Sequence, residues 1–94
     1  MKLILVVALT SAVLFAAGAA NATEALAKSS GCLNCHAIDG KKMGPSFKEI
    51  AAKYKGKSDA EATLVAKLSA AKDHPEVKAK PDDVKTLVKF VLAQ

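Results

Sequence analysis

The chain has 94 residues, 51% of them hydrophobic and 4% aromatic, and its 14 basic residues, all lysine, outnumber 9 acidic ones for a formal charge of +5. That length admits one small domain, whose core is too thin to stand without a metal, a disulfide or a cofactor. The lack of arginine and the few aromatic side chains exclude a nucleic-acid stacking platform.

Residues 1–22 read as an export leader. Lys2 is a minimal positive start, Leu3 to Ala17 is almost wholly apolar, and Ala20-Asn21-Ala22 fits a small-x-small cleavage site. No basic stop-transfer flank follows. The expectation is cleavage before Thr23, a periplasmic product, and no membrane insertion after cleavage. A retained anchor is the competing reading, because the charge-free run from Leu3 to Thr23 is just long enough to span. The remaining domain, residues 23–94, keeps 13 lysines against 9 acids, a formal +4.

Four helices follow in chain order. The first, from Thr23 to Lys28, is rich in helix formers and runs toward Gly31. The second spans Ser46 to Tyr54, with Phe47, Ile50, Ala51 and Tyr54 as its apolar stripe and Ser46 with Glu49 as a capping box. The third starts at Ser58, where Ser58 and Glu61 form the same box signature ahead of Leu64, Val65 and Leu68. The last runs from Asp82 to Gln94 behind Pro81, with Asp82 and Asp83 suited to its dipole. Two irregular stretches, Ala37 to Pro45 and Ala70 to Pro81, join these elements. No segment alternates as a strand does, so the fold class is all-α.

The most specific signal is Gly31-Cys32-Leu33-Asn34-Cys35-His36. Two thiols one helical turn apart can add across the two vinyl groups of a haem, and the adjacent imidazole then reaches the iron. Three other chemistries compete for these residues. A Cys32–Cys35 disulfide suits an exported protein. A thioredoxin-like redox pair wants a βαβ context, which is absent. A zinc site would draw on Cys32, Cys35, His36 and His74 together.

The chain resembles the small monohaem class I c-type cytochromes of bacteria. The resemblance rests on GCLNCHAIDGKKMGPSFKEIAAKYKGK, residues 31–57, and on the final helix PDDVKTLVKFVLAQ, residues 81–94. It implies a cytochrome c fold, four short helices and loops wrapped around one covalent haem c. It implies that Cys32 and Cys35 carry the thioethers and that His36 is the proximal metal ligand. It also implies that the Pro45 carbonyl accepts the proximal imidazole's N–H. The sequence departs from the family at the sixth ligand. Relatives place a methionine, often followed by proline, in the loop before the last helix. Here Met43 belongs to the proximal loop, and the distal loop carries His74-Pro75. His74 is therefore the expected second metal ligand. An ordinary exposed loop histidine, a vacant position, or ligation by Lys72, Lys78 or Lys80 are the competing readings.

The function this implies is periplasmic electron transfer at low potential, by a monomer that is not an enzyme and that docks redox proteins through their acidic patches. Some lysines serve that docking, and the rest are solvated helix faces. The alternative function is binding or sensing of a diatomic gas or peroxide at a labile sixth position.

Overall fold

A computed structural model of the protein describes residues 23–94; the leader expected at 1–22 lies outside them. Among the described residues the first helix, α1, covers 23–29 and buries Ala27 completely. It stops at Gly31, which takes the left-handed conformation at φ 85° that ends helices cheaply only in glycine. The chain reverses there into a 3-10 turn, Cys32–Asn34. Gly31 thereby turns the two cysteines and His36 off the end of α1.

Helix α2, Phe47–Tyr54, is anchored at its start more fully than its sequence implied. The capping box forms in both directions: Glu49 N–H donates to Ser46 Oγ at 3.1 Å and Ser46 N–H to the Glu49 carboxylate at 3.3 Å. The remaining first-turn donors reach back across the loop, Phe47 N–H to Ala37 O at 2.8 Å and Lys48 N–H to Ile38 O at 3.1 Å. The orphan N–H groups of the helix start are thus satisfied by the segment just after His36. This clasp holds the loop from Ala37 to Pro45 closed.

Helix α3 corrects an expectation. It spans Ala60–Ser69 with Asp59 as N-cap and no side-chain cap, so the Ser58–Glu61 box does not form. Ala60 N–H is already taken by Lys57 O at 3.2 Å in a tight preceding turn. The helix begins one residue later than the box requires. Glu61 instead approaches Lys89 of the last helix at 3.9 Å, an exposed pair of little energetic weight.

Helix α4, Pro81–Leu92, has proline in its first turn as expected and ends two residues short of Gln94. Ala93 caps it by folding its N–H onto the last carbonyls. It buries Val84, Leu87 and Val88 and packs against both α2 and α3. With Ala27, Phe47 and Ala60 these make the hydrophobic core of the described residues. Two of those six side chains are alanine, which bears out the thin core. Among the described residues there is no strand, and no helix is long and apolar enough to cross a membrane.

Candidate haem site

The 3-10 turn closes through Cys35 N–H to Cys32 O at 3.3 Å and His36 N–H to the same oxygen at 3.0 Å. It brings Cys32, Cys35 and His36 onto one short stretch of backbone. Both thiols are free and half-buried. Burial pushes the Cys32 thiol above its ordinary range, partly offset by a backbone hydrogen bond, so it stays protonated at neutral pH. A protonated sulfur is poorly reactive toward oxidants.

His36 is held from several sides. Its Nδ1 lies 2.5 Å from Pro45 O. A carbonyl can only accept, so Nδ1 carries the proton and Nε2 of the neutral ring has the lone pair. Phe47 stacks on the ring at 5.6 Å between centroids and 29° between planes. Gly44, beside Pro45, runs so near the ring that a Cβ there would meet it at 2.6 Å.

His74 sits in the loop between α3 and α4. Its ring lies 6.1 Å from that of His36, centroid to centroid, and the planes differ by 6°. Its Nδ1 donates to Pro75 O at 2.7 Å, which leaves Nε2 as the free nitrogen here too. The backbone leading to it is unusual: Ala71 and Asp73 have φ of 50° and 52°, left-handed values uncommon outside glycine. Two imidazoles bound to one metal at about 2.0–2.1 Å each, with ring centres roughly 1.1 Å behind the nitrogens, have centroids about 6.2 Å apart. The observed pair fits that spacing.

The competing readings fare differently. Cys32, Cys35, His36 and His74 do not converge: among the described residues no group of three or more acidic, histidine or cysteine side chains could hold a metal ion. That removes the zinc reading. Met43 is 87% exposed, in keeping with a loop side chain. Lys72, Lys78 and Lys80 are exposed as well. Sequence reasoning missed three parts of the site. Phe47 read only as helix core, and the Pro75 carbonyl and Gly44 gave no signal of their own.

Residues 20–94 match the family model for cytochrome c. The chain belongs to the cytochrome c family. It is 38% identical to cytochrome c-551 of Pseudomonas aeruginosa over 94 residues, covering 92% of this chain and 90% of that one. It is 36% identical to cytochrome c-552 of Nitrosomonas europaea over 87 residues, with 84% of each chain covered. The crystal structure of the class 1 cytochrome MtoD from Sideroxydans lithotrophicus superposes with a TM-score of 0.66 at 36% identity, covering 78% of this chain and 92% of that one. The expected family and fold are borne out. As a member, this cytochrome has one covalently bound haem c and is a haem electron carrier. Its own residues fit that group: two free thiols at the attachment spacing, and two parallel imidazoles with their Nδ1 protons tied back to carbonyls.

Proposed function

We propose that this cytochrome carries one electron at a low potential, with Cys32 and Cys35 bearing the thioethers and His36 and His74 as the two axial ligands. The observation that carries the reading is the parallel pair of rings at 6.1 Å. When bound, the haem supplies a one-electron iron couple whose potential follows its axial ligands. His36 takes its orientation from Pro45, and the accepted N–H makes the imidazole a stronger donor. His74 takes the same support from Pro75. With both axial positions occupied by protein, none is left for chemistry, so the reading is a carrier and not an enzyme.

The test is the reduction potential. Imidazole donors favour ferric iron, and a methionine in place of one raises the potential. His74→Met is expected to raise the potential by at least ~59 mV, a tenfold change in the one-electron equilibrium. Direct electrochemistry on the purified protein reads this. An unchanged potential would remove His74 from the iron.

Export is supported by the leader pattern of residues 1–22 and places the carrier in the periplasm, where it works as a monomer. Its docking face is the lysine-rich rim of the two histidine loops. Lys41 and Lys42 lie on the proximal loop, and Lys72, Lys78 and Lys80 on the distal one, all exposed. The Lys42 ammonium donates to Leu33 O at 3.1 Å, which sets its charge beside the attachment turn. Such a rim suits a redox partner with an acidic patch. Electron exchange with that partner is expected to slow as salt rises, because the Debye length falls from about 10 Å at 0.1 M to about 3 Å at 1 M. Stopped-flow rates across that range check it, and a flat profile would assign the lysines to solvation alone.

A further inference from the structure

We infer that Gly44 is a positioning residue for the proximal ligand, its missing side chain setting the plane of the His36 ring and holding the Nδ1–Pro45 hydrogen bond in place. This rests on the reading of His36 as an iron ligand. A Cβ at position 44 would lie 2.6 Å from His36 Cε1, 2.9 Å from Nδ1 and 3.2 Å from Nε2. Carbon atoms in contact prefer about 3.5–4.0 Å. The backbone gives no other reason for glycine there. Gly31, Gly40 and Gly56 adopt positive φ, and Gly44 does not. The three atoms nearest that Cβ all belong to the His36 ring.

Neither side of this contact can yield freely. Gly44 N–H donates to Cys35 O at 2.7 Å, and its carbonyl accepts from Lys42 N–H at 3.3 Å. Two residues on, the backbone enters the start of α2, which is itself tied to Ala37 and Ile38. The ring is bound to Pro45 O and stacked on Phe47. A methyl group at 44 must therefore either drive the turn away, taking the Pro45 carbonyl with it, or tilt the ring. Both outcomes weaken the N–H···O bond, and the second also breaks the match of planes with His74. A ligand that loses its hydrogen-bond acceptor becomes a poorer donor, which favours the reduced state.

The same loop holds the control. Gly40 has φ +86°, and nothing lies within 4 Å of a Cβ placed there. Gly40→Ala strains the backbone without touching His36. In the haem-loaded protein, Gly44→Ala is expected to shift the redox equilibrium about tenfold toward the reduced form, ~59 mV upward. Its ferric electron paramagnetic resonance spectrum should change with it. Gly40→Ala should lower the thermal midpoint and leave potential and spectrum as in the wild type. A Gly44→Ala protein with wild-type potential and spectrum overturns the inference, as does an equal shift in both variants. Proton magnetic resonance of the ferrous wild-type protein decides the matter even where Gly44→Ala fails to accumulate. The His36 ring protons should be shifted far upfield by the haem ring current and should cross-relax with the Gly44 α-protons. Upfield ring protons without that cross-relaxation sink the role of Gly44 alone. Absence of upfield His36 protons sinks the ligand reading beneath it.

Discussion

Replacing His74 with alanine is expected to turn the ferric protein from low-spin to high-spin at neutral pH and to open the ferrous protein to carbon monoxide. The side chain removed is the one whose ring lies parallel to His36 at 6.1 Å. Met43 is exposed on the far loop, and the lysines of the distal loop point into solvent. The size of the effect follows from competition. If His74 leaves the iron for about 1% of the time, an incoming ligand binds the wild type about 100-fold more weakly than the alanine variant. Titration of both ferrous proteins with carbon monoxide measures the ratio. Equal affinities would favour the alternative function, a protein that binds small ligands at an open sixth position.

The second large effect concerns Phe47. It is 2% exposed, stacks on His36, and meets Phe90 edge-on at 6.1 Å and 82°. Phe47 thus joins α2, α4 and the His36 ring at one point. Phe→Ala in a core costs about 3–5 kcal/mol, out of a total stability of about 5–15 for a whole domain. The smaller cost lowers the thermal midpoint by about 12–24 °C, at about 4–8 °C per kcal/mol for a domain of this size. Far-ultraviolet circular dichroism on heating reads the shift. Met43→Ala, on an exposed side chain, should stay within about 0.5 kcal/mol of the wild type. A Phe47→Ala midpoint as high as that of Met43→Ala would deny Phe47 its place in the core.

These two residues differ in how plainly the sequence declares them. Phe47 is legible as core from its helical spacing with Ile50, Ala51 and Tyr54, but its contact with His36 is not. That contact depends on the clasp between residues 37–38 and 47–48, which only backbone hydrogen bonds reveal. His74 is legible as a ligand candidate because it stands where relatives keep methionine. The parallel setting of its ring is not legible, since it depends on the path of a loop whose residues Ala71 and Asp73 take left-handed backbone that their sequence does not advertise. The two capping boxes make the same point. Ser46–Glu49 and Ser58–Glu61 are equivalent as sequence. The first forms because Ser46 is extended and buried at the helix start. The second does not form, because the helix starts at Ala60 with Asp59 and not Ser58 as its N-cap. Gly44 is the clearest case of hidden information. It gives no signal of its own in the sequence, and only the ring beside it explains why no side chain fits.

The claim that His36 and His74 share one iron is tested most directly by low-temperature electron paramagnetic resonance of the ferric protein at neutral pH. Parallel imidazole planes on one iron hold its d orbitals apart in energy, and the planes here differ by 6°. The expected result is a single low-spin species with a well-resolved rhombic signal of three components, lost in His74→Ala. A high-spin signal in the wild type, or a low-spin signal that persists unchanged in His74→Ala, would contradict it.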